Sequence, residues 1–284
     1  MPDLFSPYTL KGITLRNRIA MSPMTMYRSV DGLVNDFHIM LMGSRAAGGF
    51  GLVFPEQLAI TPDGRTGTGC AGIYDDSQIE GLSRVTAIIK DMGSVPAVQL
   101  GHTGRKGSEL KPWEGKIQLP PDHPDGWQVR GPSAIPYGGR YTYPVHALTI
   151  DAVWAVGVMK EHGLDFADLS LGMNTDDVQD VPFDEVAFMV ERGNRVRREV
   201  SIPVGVSWNL GLPAVADQVI REELIDLVFL GRPALSNPHW PVWAARELSH
   251  KDPFSLIPED WSWWLRKRPG PEGSLGWPAA TGSA

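Results

Sequence analysis

Residues 203–236 read PVGVSWNLGLPAVADQVIREELIDLVFLGRPALS, and this stretch decides the fold class. Two short apolar runs, Pro203–Trp208 and Asp226–Arg232, flank a segment with helical periodicity, Pro213–Glu223. Runs that are apolar almost throughout are typical of strands covered on both faces. The order strand, helix, strand therefore predicts a βαβ unit with two parallel strands.

The same alternation continues on both sides of this unit, after a short N-terminal segment. Four more strands are predicted, at Arg18–Met24, Gly51–Ile60, Val95–His102 and Phe166–Met173. Five more helices are predicted, at Asn35–Ala47, Gln78–Met92, Thr149–His162, Asp184–Val200 and Asn237–His250. A closed parallel barrel has eight β/α units, whereas an open, doubly wound sheet can have six strands. Periodicity alone leaves both α/β architectures open.

The pattern is interrupted between Gly107 and Leu148 by an irregular stretch rich in Pro, Gly, Asp and Tyr. Such long irregular loops usually carry function or cover a site. The tail from Pro269 has few core-forming residues, and we expect it to be disordered. No polar linker divides the β/α series. The sequence thus predicts one domain, residues 1–268, with a loop region at 107–148 and a tail at 269–284.

The composition is that of a soluble globular protein, with 284 residues of which 42% are hydrophobic and 21% charged. A net charge of -7 argues against binding to a nucleic-acid backbone. The apolar stretches are shorter than the roughly 18 residues that a membrane span requires. Cys70 is the single cysteine, which excludes an internal disulfide. We therefore expect a cytoplasmic protein that binds neither nucleic acid nor membranes.

Gly67, Gly69 and Gly72 match the GxGxxG pattern of dinucleotide-binding loops. They follow the predicted strand by several residues, and no helix begins directly after them, so we interpret them as an ordinary loop. The sequence contains no HExxH, CxxC, P-loop or GxSxG motif. No metal site is therefore expected.

Polar residues follow the predicted strands, at the carboxyl ends where parallel β/α proteins place their chemistry. Gln99, in VPAVQLGH, is expected to be a buried amide that either binds a heteroaromatic ligand or is satisfied by backbone. Gly231 and Arg232 follow the last strand, where they can bind a phosphate or form a simple turn beside a surface arginine. Asp176 and Asp177, with Asp180 nearby, are candidate acid/base groups or a solvated acidic loop.

Several longer motifs resemble the Old Yellow Enzyme family of FMN-dependent ene reductases, in particular its bacterial, thermophilic-like branch. They are LFSPYTLKGITLRNRIAMSPMTMY at 4–27, CAGIYDD at 70–76, VQLGHTGRK at 98–106 with PWEG at 112–115, and DLVFLGRPALSNPHW at 226–240. The resemblance covers most of residues 3–268. It implies a TIM-barrel-like (β/α) fold that binds FMN at the strand carboxyl ends. NADPH or NADH would reduce the flavin, which would pass hydride to an activated alkene or enone.

The resemblance also implies which residues form the cofactor site. Pro23, Met24 and Thr25 would line the flavin, where this branch commonly has a cysteine in place of Thr25. Gln99 would hydrogen-bond the pyrimidine ring, and Gly231 and Arg232 would hold the phosphate. Gln57 replaces a small alanine and Asn209 a glycine at two further flavin contacts, so the added side-chain volume argues against tight FMN binding.

For the substrate, the resemblance implies that Tyr27 is the catalytic residue that reaches the carbonyl. His102 would lie at the substrate pocket, although it and Arg105 belong to an HxGR motif for which a structural or interface role is equally consistent. Trp264 resembles a C-terminal aromatic residue that shapes the pocket across a homodimer.

About two β/α units of the family pattern are absent near Ala155, by the arithmetic of an eight-unit barrel. With them go the histidine pair that grips the substrate carbonyl and the tyrosine that supplies the proton. We expect a barrel shortened to about six units, with a weakened or altered activity. The gap could be closed by a changed barrel, by the 107–148 region or by a second subunit. The alternatives are a non-redox enzyme on the same scaffold, acting through Asp176 and Asp177, and a non-catalytic homologue.

Overall fold

The structure is a computed structural model that describes residues 1–131, 134–147, 165–170, 185 and 187–267. Its strands are β1 (Tyr8–Leu10), β2 (Ile13–Leu15), β3 (Ile19–Met21), β4 (Leu52–Val53), β5 (Gln57–Ala59), β6 (Val95–Pro96), β7 (Gln99–Gly101), β8 (Arg130–Gly131), β9 (His146–Ala147), β10 (Ala167–Ser170), β11 (Val204–Ser207) and β12 (Leu227–Leu230). Its α-helices are α1 (Asp36–Ala47), α2 (Ile79–Asp91), α3 (Ala187–Val200), α4 (Pro213–Arg221), α5 (Arg232–Ser236), α6 (Trp240–Glu247) and α7 (Glu259–Lys267).

One parallel sheet contains a piece of each of the six predicted strands, in the spatial order β10-β11-β12-β3-β4-β6. The pairing of β12 with β3 joins the last strand of the series to the first. This closure is expected of strands wound in a circle, whereas a doubly wound sheet reverses its strand order at a switch point. The topology is therefore that of a TIM-barrel-like fold. In the described part of the chain, β6 and β10 form its two ends.

The sheet is strongly curved, as the side chains of Ser22 and Ser207 demonstrate. These residues lie at the ends of β3 and β11, on either side of β12, and their hydroxyl oxygens are 3.0 Å apart. In a flat sheet the two strands would be separated by roughly 10 Å, twice the spacing of neighbours. Side chains of alternate strands meet in this way inside a barrel.

The helices pack on the outside of this sheet and enclose the main core, which includes Met21, Val53, Val206 and Leu230. Asn35 begins α1 with a capping box. The Asn35 side chain accepts a hydrogen bond from the backbone N–H of Phe37, and the His38 side chain accepts one from the backbone N–H of Asn35. Helix α7 was not predicted from the sequence. Among the described residues, no helix is long and apolar enough to cross a membrane.

The described part of the 107–148 region is mostly irregular, with β8 and β9 as short strands, and it packs on the loop 61–72. The indole N–H of Trp127 donates to the Asp63 carbonyl at 3.1 Å, and the Asp63 carboxylate forms an ion pair with Arg130 at 2.5 Å. Glu109 pairs with Gly67 in an isolated bridge. The described part of this region therefore packs over residues 61–72. The predicted helix Thr149–His162, the tail 269–284 and the acids Asp176, Asp177 and Asp180 lie outside the described residues.

Candidate functional site

The carboxyl ends of β3, β11 and β12 meet at one point of the barrel. Besides the contact between the hydroxyls of Ser22 and Ser207, the backbone N–H of Ser22 donates to the Leu230 carbonyl at 3.0 Å. The residues that follow these strands are therefore gathered at one edge, which is where barrels carry their chemistry. This edge is the candidate site, and it contains Pro23, Met24, Thr25, Asn209, Gly231 and Arg232.

Pro23, Met24 and Thr25 follow β3 and are each half-buried, so each keeps an accessible face at this edge. Met24 lies beside Gly231, where an added Cβ would stand 3.5 Å from the Met24 sulfur. The predicted flavin-lining residues and the predicted phosphate-binding residues are thus neighbours.

Asn209 and Arg232 lie at the ends of the neighbouring strands β11 and β12, and both side chains are exposed. Asn209 has a φ of 46°, the left-handed conformation that favours glycine and that asparagine tolerates better than most residues. The backbone therefore takes the conformation expected of a glycine position, although the side chain is larger. Gly231 directly precedes α5 and is half-buried.

Gln57 and Gln99 stand opposite each other in the parallel pair of β5 and β7. The Gln57 side chain lies over Gly101, where a Cβ would approach its amide nitrogen to 2.4 Å. The expectation that Gln99 is buried is wrong: its side chain is exposed, between Val98 and Leu100, which are 47% and 59% exposed. The reason is that β5 is the only strand that pairs with β7 in the described part of the chain.

His102 is half-buried, and its Nδ1 accepts from the backbone N–H of Gly104 at 3.0 Å. This contact stabilises the 3₁₀ turn that contains Arg105. Trp264 lies on α7, far along the chain from these strand ends, and it is 68% exposed. It stacks edge-on against Trp263, with ring centroids 4.7 Å apart.

Glu56 lies between β4 and β5 and is fully buried beside the equally buried His38, with Oε1 and Nε2 3.1 Å apart. Nδ1 of His38 accepts the N–H of Asn35, so the proton of a neutral imidazole lies on Nε2 and faces Glu56. Glu56 therefore connects the segment between β4 and β5 to the first turn of α1.

Tyr27 belongs to a hydrogen-bonded cluster that the sequence did not predict. Its hydroxyl donates to Glu109 Oε1 at 3.2 Å, and the Tyr141 hydroxyl donates to Glu109 Oε2 at 2.8 Å. Glu109 is 2% exposed and Tyr141 is 1% exposed. Both partners come from the 107–148 region, so this region supplies the surroundings of the predicted catalytic residue.

The electrostatics of this cluster follow from its burial. Burial raises the pKa of the Glu109 carboxyl, although the hydrogen bonds from Tyr141 and Tyr27 oppose the rise. Burial likewise raises the pKa of Tyr27, and it raises that of Tyr141 to about 12, with Glu109 adding to both. The two phenols therefore stay protonated at any physiological pH.

The glycine-rich loop supports this cluster by close packing. A Cβ at Gly69 would lie 2.5 Å from the Tyr27 carbonyl oxygen, and one at Gly67 would lie 2.5 Å from that of Glu109. Glycine is needed at both positions because two backbones approach them closely. The interpretation of this motif as a loop rather than a dinucleotide fingerprint fits these contacts.

Residues 3–135 match the NADH:flavin oxidoreductase / NADH oxidase family. Among solved structures, a morphinone reductase in complex with tetrahydroNAD is similar at 20% identity and a TM-score of 0.62, over 87% of this chain and 91% of that one. The old yellow enzyme from Trypanosoma cruzi is similar at 20% identity and a TM-score of 0.54, over 86% and 92% of the two chains. A 2-naphthoyl-CoA reductase is similar at 15% identity and a TM-score of 0.60, over 90% of this chain and 53% of that one. The predicted fold class is confirmed.

Proposed function

We propose that this chain is a member of the Old Yellow Enzyme family and an FMN-dependent oxidoreductase of the ene-reductase type. NADH or NADPH would be the reductant, and an activated alkene or enone the substrate. The observation that carries the proposal is the meeting of β3, β11 and β12 at one edge, which gathers the predicted flavin residues.

The residues at this edge suit FMN chemically. Pro23 and Met24 offer a half-buried apolar face for the flat ring system. Arg232 offers a cation and Gly231 an unhindered backbone for the phosphate, next to Met24. In the separate pair of β5 and β7, the exposed amide of Gln99 would hydrogen-bond the polar edge of the ring, with Gln57 opposite it. Asn209, in a glycine-like conformation, would present its backbone to the phosphate.

The chemistry that FMN supplies when bound is hydride transfer from a nicotinamide to the β-carbon of an activated alkene. The chain's own contribution would come from Tyr27, whose hydroxyl would donate a hydrogen bond to the substrate carbonyl and so stabilise the developing negative charge. His102 and Trp264 are proposed as more distant members of the substrate pocket. The stretches that resemble the family contain no counterpart of its histidine pair or of its proton-donating tyrosine. We therefore expect a weaker or altered activity.

We also propose a homodimer, because the shortened barrel leaves sheet edges that must be paired or covered. Val98 and Leu100 are exposed beside β6, and Trp261, Trp263 and Trp264 are exposed on α7. The 107–148 region packs on residues 61–72, so its described part covers the loop rather than the open side of the barrel. Sedimentation at several protein concentrations would distinguish a dimer from a monomer.

The visible spectrum of the purified protein tests the proposed function. We expect a flavin band, either in the protein as isolated or after FMN is added, that bleaches with NADPH or NADH and recovers with cyclohexenone. A colourless protein that takes up no FMN would overturn the proposal. That result would favour a non-redox enzyme on the same scaffold, because the Gln57 side chain already lies across Gly101 where the resemblance expects a small residue beside the flavin.

A further inference from the structure

Glu109 joins two tyrosine hydroxyls inside the protein, and its position restricts the hydrogen bonds that Tyr27 can make. A phenol has one proton. In this structure the Tyr27 hydroxyl uses that proton to donate a hydrogen bond to Glu109 Oε1 at 3.2 Å. While this bond persists, the Tyr27 oxygen can accept a hydrogen bond from another group but cannot donate one. A substrate carbonyl only accepts, so this arrangement does not serve it.

The direction of the hydrogen bonds in the cluster is set from its far end. The Arg140 guanidinium hydrogen-bonds the Tyr141 side chain. Because a guanidinium only donates, the Tyr141 oxygen is the acceptor of that bond, and its own proton points to Glu109 Oε2 at 2.8 Å. Oε2 therefore accepts in either protonation state of Glu109. The proton of a neutral Glu109 must lie on Oε1, the oxygen that faces Tyr27.

We propose that Glu109 is a positioning residue that switches Tyr27 between two hydrogen-bonding states. When Glu109 is protonated, its Oε1 donates to the Tyr27 oxygen, and the Tyr27 proton is released toward a substrate carbonyl. When Glu109 is ionised, it holds the Tyr27 proton and the carbonyl loses its donor. This inference rests on the proposed function, because it takes Tyr27 as the residue that faces the substrate.

The surroundings of Glu109 raise its pKa, so the switch operates at a higher pH than an ordinary glutamate would allow. Burial is the largest influence and raises its pKa. The groups that face it and oppose this rise are the hydroxyls of Tyr141 and Tyr27 and the charges of Lys116 and Arg140. On the other side of Tyr27, burial raises the pKa of the Cys70 thiol to about 11, so this neighbour is neutral. Turnover of a carbonyl substrate is therefore expected to fall as the pH rises through the pKa of Glu109.

An infrared titration tests the switch without flavin or activity. The difference spectrum between the flavin-free wild type and Glu109→Gln should contain a protonated carboxyl band that persists above the range of exposed glutamates. In Tyr141→Phe the band should persist to higher pH still, because the hydrogen bond that favours the carboxylate is lost. Absence of the band throughout the titration overturns the inference, whatever the activity of the enzyme.

The reoxidation of reduced flavin by cyclohexenone, followed by rapid mixing, provides the second test. In the wild type the rate should fall tenfold per pH unit above the infrared midpoint, since one ionisation removes the donor. In Glu109→Gln the amide carbonyl takes the place of Oε2 and the NH₂ group that of Oε1, so the ratio of the rates at low and high pH should approach one. Glu114→Gln, which removes an exposed carboxylate of the same segment, is the matched control and should keep the wild-type pH profile.

The possible outcomes separate the inference from the proposed function. A wild-type rate that is flat with pH, or a Glu109→Gln profile that falls like the wild type, overturns the switch and leaves the ene-reductase proposal standing. If the flavin is reduced by NADH but cyclohexenone never reoxidises it, the proposed function fails and the switch fails with it. Should Glu109→Gln not fold, the infrared midpoint is taken from the pH difference spectra of the wild type and of Tyr141→Phe. Tyr141→Phe must then move the pH profile and that midpoint upward together, and independent shifts contradict the inference.

Discussion

Replacement of Arg16 by Met would test how the barrel is held together at the end opposite the candidate site. Arg16 precedes β3, and its guanidinium donates to the carbonyls of Ala46, Phe50 and Met92 and to the Ser94 hydroxyl. Phe50 lies two residues before β4 and Ser94 directly precedes β6, so this side chain connects the amino ends of three neighbouring strands. Burial lowers the pKa of Arg16 to about 10, which leaves it charged at neutral pH.

The expected loss of stability depends on which hydrogen-bond partners remain after the substitution of Arg16. The Phe50 carbonyl keeps the Ser94 hydroxyl at 2.6 Å, and the Ala46 carbonyl keeps the N–H of Gly49 at 3.1 Å. The Met92 carbonyl loses its bond to the guanidinium. The Ser94 hydroxyl keeps its bond to Phe50. One lost charged hydrogen bond and three partners that each keep another bond, at roughly 1.5–3 kcal/mol for each full bond, give a loss of about 3 kcal/mol in the free energy of unfolding.

Chemical denaturation of the wild type, Arg16→Met and Arg84→Met would measure this difference. Arg84 is the matched control because its ion pair with Asp36 is exposed, and such pairs contribute less than about 1 kcal/mol. Flavin affinity below the unfolding transition should be equal in all three proteins, since residues at the amino ends of barrel strands serve stability. Equal stability of Arg16→Met and Arg84→Met would show that the Arg16 contacts do not hold the three strands together.

Three further predictions concern the candidate site. Arg232→Gln should weaken FMN binding about 10- to 100-fold in a fluorescence titration, which is the equivalent of one charged hydrogen bond to phosphate. Lys90→Gln is the control and should leave the affinity unchanged. Equal affinities of the two variants would remove Arg232 from the site. Tyr27→Phe should lower the rate of enone reduction at least tenfold while NADH still reduces the flavin, and a similar loss in both half-reactions would indicate general damage instead. Cys70 should resist iodoacetamide at pH 8 until the protein unfolds, because burial raises its pKa to about 11 and the thiolate is the reactive form; rapid modification of the folded protein, seen by mass spectrometry, would contradict its placement.

The six strands could be predicted because each is a local signal, a short apolar run bounded by turn residues. Their arrangement could not be derived from periodicity, since the barrel and the doubly wound sheet use the same kind of unit. The pairing of β12 with β3 distinguishes the two, and it joins Val228 to Ile19, which are far apart in the sequence. Long-range pairing of this kind leaves no periodic trace in either strand.

The error at Gln99 has a physical reason. An amide inside an apolar run predicts burial only if a strand lies on each side, and β7 has a partner on one side in the described chain. From the resemblance we expect about two β/α units to be absent after this strand. Exposure of the residues next to the expected gap could have been predicted on the same ground.

Glu109 and Tyr141 were not predicted because they lie in an irregular region without periodicity. Their contact with Tyr27 depends on how residues 107–147 fold over the loop 61–72, which only tertiary packing determines. Helix α7 offered a local signal that was missed: Glu259 and Asp260 lie in its first turn and Arg266 and Lys267 in its last, as the helix dipole favours.

We propose that the residues at the carboxyl ends of β3, β11 and β12 bind FMN and use it. This proposal is tested by an anaerobic titration of the flavin-free protein with FMN, followed by NADH and then cyclohexenone in the same cuvette. We expect saturable binding of one FMN per chain, loss of the flavin band on addition of NADH, and its return with the enone. Failure to bind FMN, or a bound flavin that NADH leaves oxidised, would contradict it.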